Sequence, residues 1–222
     1  MTAKKGPIES RAWPPALEAF AIDERDGHRV HGYDVEKDLA AHYRFSDVVY
    51  LALAGELPTA AQSRAFEVAM CFLLPVSVAD GPCHAAVLGS FCGAPPSGVL
   101  STAAVTLADY AREAIAAVRS VAEGGTLPDA LRAQSDAERA SVAQLRSLVA
   151  AAVEVPLLAL DPGREVALLG VLYACGLTTA LQLSAALTVA RLPSAAAEAA
   201  PRSSAEFVQK YPMNTPPFAY EE

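Results

Sequence analysis

Charge is scarce in this 222-residue chain: 19% of residues are charged, against 53% hydrophobic. What charge there is leans acidic, to a formal net of −8. Nucleic acid is therefore not an expected partner, because its phosphates are met by clustered Lys and Arg. Histidine is scarcer still, with only His28, His31, His42 and His84. The four cysteines, Cys71, Cys83, Cys92 and Cys175, include no Cys-x-x-Cys pair, so no zinc site is expected. Apolar neighbours surround most of them, as in Ala69-Met-Cys-Phe-Leu73, and they read as buried free thiols in a reducing compartment. No serine nucleophile elbow or dinucleotide fingerprint is present. Gly124-Gly125 has no preceding strand and no following Lys, and reads as a loop. No apolar run follows Lys4-Lys5, so no signal peptide is expected and a cytoplasmic location is. There is no internal repeat.

What the chain does have is a long stretch without charge, Val166 to Ala190. It is long enough to span a bilayer. Gly170, Gly176, Thr178, Thr179, Gln182, Ser184 and Thr188 interrupt it, however, and Gly176 is placed to separate two buried helices. A protein core makes such runs without lipid, so no membrane partner is expected. Ala and Leu dominate and β-branched runs are few, which favours helix over strand. The fold class expected is all-α, with one small N-terminal β-hairpin. The apolar excess then belongs to buried helix faces or to a subunit interface.

Three stretches organise the chain. Residues 1–16, with Gly6, Pro7, Pro14 and Pro15 beside Trp13, read as an extended arm. Residues 17–192 read as one helical domain. Its opening hairpin, Leu17 to Val30, turns at Asp26-Gly27. Asp34 then caps a first helix, Ser46 or Asp47 a second that ends at Gly55, and Thr59 a third that Pro75 stops. Helices follow over 82–91, over 97 to about 122, over 135 to about 154, and on either side of Gly176. Residues 193–222 read as an Ala/Ser-rich linker and a C-terminal arm. Phe207, Tyr211, Phe218 and Tyr220 make that arm aromatic, and Pro212, Pro216 and Pro217 keep it extended. Such an arm docks on its own domain or on a partner.

Ile22-Asp23, Gly32-Tyr33-Asp34, Phe45-Ser46-Asp47-Val48-Val49 and Gly55-Glu56-Leu57-Pro58-Thr59 follow one another in an order that resembles the N-terminal signature of the citrate synthase family. The resemblance covers residues 17–74 well. It extends more loosely over 80–112, where Asp80-Gly-Pro-Cys-His-Ala-Ala-Val-Leu88 looks like the first catalytic-histidine segment. What it implies is a citrate synthase-like helical bundle, a homodimer, and condensation or cleavage chemistry on an acyl-CoA thioester and a carboxylate. No cofactor or metal is implied, coenzyme A entering as part of the substrate. In that family an aspartate removes a proton α to the thioester, one histidine stabilises the enol oxygen, and a second polarises the keto group. Arginines hold the carboxylates, a task suited to bidentate guanidinium. An acid and a base must flank one carbon with tuned proton affinities.

Set beside that pattern, the sequence is depleted and short. His84 is the one expected catalytic residue, and it also fits a plain histidine in the first turn of a helix. The Gly-Pro-Leu-His-Gly-Gly-Ala block of the second histidine has no counterpart, and Leu100 to Thr106 offers neither histidine nor a glycine pair. The Asp-Phe-Tyr-Ser pattern of the base is also missing. Asp109 and Asp161 are the nearest carboxylates, and Asp109 is spaced to pair with Arg112. Two readings stay open. In one the chain is a degenerate pseudoenzyme that handles an acyl-CoA and a carboxylate, or pairs as a companion subunit with a full-length synthase. In the other it is an active condensing or citryl-CoA lyase-type enzyme that uses His84.

Overall fold

The computed structural model describes residues 19–23 and 27–200. These fall into two compact units, meeting in sequence at Leu57 and Pro58. The N-terminal arm, most of the hairpin turn and the aromatic C-terminal arm lie outside the described residues.

The first unit opens with three short antiparallel strands, β1 (Ile22–Asp23), β2 (Arg29–Val30) and β3 (Tyr33–Asp34). Ile22 pairs with Val30, and Val30 with Tyr33. The expected hairpin is thus present, extended by a third strand. Asp34 caps the following π-turn (Val35–Leu39), accepting from the Glu36 and Lys37 amides at 3.0 and 2.9 Å. The Lys37 amide bond leads the effects that hold its carboxyl below the ordinary value. The π-turn runs into a short α1 (Ala40–His42), and α2 (Phe45–Ala54) follows. The cap of α2 differs from expectation. Arg44 occupies the N-cap position, and Asp47 accepts the Arg44 amide at 3.3 Å from inside the first turn. Leu39, Tyr50 and Leu51 are buried.

The described part of the second unit is built of helices, with one isolated β-bridge between Arg132 and Pro162. Its elements are α3 (Ala60–Leu73), α4 (Gly81–Phe91), α5 (Pro96–Tyr110), α6 (Arg112–Ala122), α7 (Asp136–Val149), α8 (Arg164–Ala174) and α9 (Ala180–Ala199). Thr59 caps α3 reciprocally with Gln62, and Thr179 caps α9 with Gln182 in the same way. Ser135 caps α7. Three expected boundaries moved, the first being the helix expected to run to about residue 154, which ends at Val149. The long helix over 97–122 is broken at Ala111 into α5 and α6. The linker expected from residue 193 is helical as far as Ala199, with Pro193 inside α9.

α8 is the central rod, with every residue from Val166 to Leu172 buried. It packs on α3, α6 and α7. A helix enclosed on all sides carries no polar face, which accounts for the uncharged run. Gly170 makes the fit possible, since a Cβ there would stand 3.1 Å from Leu157 Cδ2. Gly176, at φ 110°, then turns the chain from α8 toward α9. Among the described residues no helix is long and apolar enough to cross a membrane.

Candidate functional site

The first turn of α4 carries His84. It is built by the loop Ser77 to Asp80, where the Asp80 carboxylate accepts the Ser77 amide at 2.9 Å and Ser77 Oγ accepts the Ala79 amide at 3.1 Å. Asp80 is therefore turned back into its loop and does not cap α4 with its side chain. Pro82 tolerates the first turn because its missing N–H would have had no partner there. The His84 amide donates to the Asp80 carbonyl at 2.9 Å. Its imidazole is exposed and has no hydrogen-bond partner among the described residues. His84, Leu88 and Phe91, at i, i+4 and i+7, form one outward stripe, while Cys83 and Ala86 point inward.

Cys83 is no candidate nucleophile. Burial, reinforced by the charges of Glu198 and Asp80, pushes its thiol up to about 11. Burial alone takes Cys175 to about 12. Both stay protonated at neutral pH, and the thiolate is the reactive form.

The two candidate carboxylates are committed elsewhere. Asp109 pairs with Arg112 on the surface where α5 meets α6. Asp161 has a left-handed backbone, φ 52°, and accepts from Arg139 Nε at 3.3 Å. Arg139 also reaches Asp136 at 3.1 Å and the Ala133 carbonyl at 2.9 Å. The bond from Asp161 is the first cause that raises this guanidinium above its ordinary value. Asp161 thus pins a loop to the start of α7. None of the hydrogen bonds or ion pairs of His84, Asp109 and Asp161 joins one of the three to another.

Two half-buried guanidiniums that the sequence did not single out, Arg164 and Arg191, meet at the end of α3. Arg164 Nη2 donates to the Phe72 carbonyl at 2.6 Å. Arg191 Nε donates to the Leu73 carbonyl at 3.4 Å, and its Nη1 to Glu165 at 3.0 Å. That pair is only 11% and 23% exposed. Both arginines close the C-terminal end of α3, where unsatisfied carbonyls and the helix dipole favour positive charge. The signal was available: Arg164, Glu165 and Arg191 are the charges that bracket the uncharged run.

The remaining histidines sit in the first unit. His28 lies 3.9 Å from Glu36. His31, at φ 47°, meets Phe20 edge-on with ring centroids 5.9 Å apart. That ring lines an open depression with Phe20, Ile22, Asp23 and Gly55. A second, smaller depression between α3 and α7 is lined by Arg64, Glu67, Cys71, Phe72 and Leu148. His84 lines neither. No cluster of His, Cys, Asp or Glu able to hold a metal ion occurs among the described residues.

No family model matches the sequence, and no curated protein matches it. A solved structure does match in fold, citryl-CoA lyase from Hydrogenobacter thermophilus, with a TM-score of 0.62 at 15% sequence identity. The likeness covers 93% of this chain and 98% of that one. The two chains therefore run nearly end to end against each other, and nothing in the likeness supports a segment lost from the middle. At this identity the likeness bears on fold alone, and what it shows is an all-α, citrate synthase-like helical bundle with a small N-terminal sheet.

Proposed function

We propose that the protein uses its citrate synthase-like fold to handle an acyl-CoA thioester and a carboxylate metabolite, without turning over the condensation as a single chain. The carrying observation is that His84 is the one imidazole in the sequence after His42. Condensation needs an acid and a base placed on opposite sides of one carbon. Here Asp80, four residues before His84, is bonded into its own loop, and Asp109 and Asp161 are held by arginines. Losing one positioned acid or base costs roughly 10² to 10⁴ in rate. Four free thiols fit a reducing compartment.

One observation favours the alternative of an active lyase or condensing enzyme. His84 is unencumbered on an exposed helix turn, free to meet a substrate oxygen. One experiment separates the readings. Calorimetry with coenzyme A, acetyl-CoA, oxaloacetate and citrate should give saturable heats, while acetyl-CoA plus oxaloacetate should release no free coenzyme A. Release that His84→Ala abolishes would establish the active enzyme instead. No heat with any of the four ligands would refute both.

A further inference from the structure

We infer that α4, α5 as far as Ala103 and the end of α9 beyond Pro193 form a movable unit that opens ahead of the rest of the helical domain and carries His84 with it. The two parts of the domain are packed with different material. Where α4, α5 and α9 meet, the fully enclosed core is Cys83, Ala86, Val99, Ala103, Ala195 and Ala199, with Val76, Val78, Val87, Ala94 and Leu192 only partly buried against it. The largest fully buried side chains of the domain are Phe66, Leu73, Leu107, Leu145, Leu168, Leu169, Leu172, Leu177 and Leu183. None of these, nor Leu187, which is fully buried as well, lies between residues 81 and 106 or beyond Pro193. Apolar burial stabilises in proportion to area, and an alanine methyl buries a small fraction of what a leucine does.

The connections are weak where the packing changes. On the α5 side the chain runs on into α6 through a helical Ala111, where the amide bond to the Leu107 carbonyl lengthens to 3.3 Å. Inside α9, Pro193 has no N–H to give the Val189 carbonyl, and its ring crowds that carbonyl. The third link is the loop before α4, which begins beyond Leu74. α4 takes its main packing from α5 and α9. Within α5, Ser101 and Thr106 bond back to the carbonyls of Ser97 and Thr102, at 2.7 and 2.6 Å, a habit that loosens and bends helices. Leu107, in the last turn of α5, is the first large side chain along that helix to be fully buried. The boundary therefore falls between Ala103 and Leu107. Regions poor in buried apolar contacts open at lower free energy than the global transition.

The motion does not depend on what His84 does, so its failure would leave the functional proposal standing. Hydrogen–deuterium exchange on the full chain tests it. Amides of 83–103 and 195–199 should exchange together, at least about tenfold faster than those of α8. Pro193→Ala removes the hinge and installs a strong helix former. It should slow exchange several-fold both at 195–199 and across 83–103, because the two segments share one core. Exchange of 83–103 as slow as that of α8 would overturn the inference. So would slowing by Pro193→Ala that is confined to α9.

Discussion

Cys83 and His84 are adjacent in sequence and opposite in environment. One side chain faces the joint of α4, α5 and α9 and is fully buried, while the other meets solvent. For the thiol the consequence is measurable. A disulfide reagent at pH 8 should titrate Cys71 and Cys92 quickly, since these are the exposed pair, and the buried pair only after denaturation. Cys71→Ser and Cys92→Ser should each remove one fast equivalent, and Cys83→Ser none. Four fast equivalents would contradict the burial. The pH dependence has a definite sign. Both buried thiols are raised above the ordinary thiol value of about 9, so the neutral form is the one the fold keeps. Their contribution to stability is present below about pH 9 and is lost as the pH rises through about 11 for Cys83 and about 12 for Cys175. Because Cys83 sits in the movable unit, it should be the first of the two to react as pH is raised.

At the scale of the element, the C-terminal end of α3 shows how charge is used in a chain that has little of it. Arg164 and Arg191 both donate to carbonyls of its last turn, and Arg191 answers Glu165 in partly buried surroundings. Arg164→Ala should cost about 1–2 kcal/mol, the range for a charged group at a helix C-terminus. Arg191→Ala should cost more, because it strands Glu165 with no partner. Urea unfolding of the two variants checks the order, and equal losses would show that Glu165 needs no partner. The helices themselves were legible because their boundaries are chemical. Thr59, Ser135 and Gly55 end or begin elements by bonds made within four residues. Arg44 at the start of α2 was not legible, since the Asp47 carboxylate that looks like a cap works from one turn inside. Nor was the helical course past Pro193. A proline predicts a stop from local sterics, and Ala195 and Ala199 are nonetheless held by packing on α4 and α5. As for the site, the sequence pointed to His84 and to carboxylates that had no motif. What it could not show was that Arg112 and Arg139 occupy two of those carboxylates, because one of the pairs spans 22 residues.

For the whole molecule, the apolar composition divides into two destinations. Much of it encloses α8, but large side chains also remain outside: Phe91 is 84% exposed, Leu181 81% and Val105 69%. Exposed apolar surface of this kind is costly for a lone chain and is commonly covered by a partner. A second copy is the partner we propose. α9 carries only Arg191 and Glu198 as charges, and α4 none, so two like copies can approach through these helices with little charge repulsion. Leu88 and Phe91 share a stripe with His84, so the same contact would draw His84 toward the interface. Light scattering at micromolar concentration should therefore give a dimer mass. Replacing both Leu88 with Lys and Phe91 with Asp puts charge on the stripe without touching the inward Cys83 and Ala86. That variant should scatter as a monomer while keeping its helical circular dichroism. A monomeric mass for the unaltered chain would refute the dimer, and an unchanged dimer in the variant would move the interface away from α4.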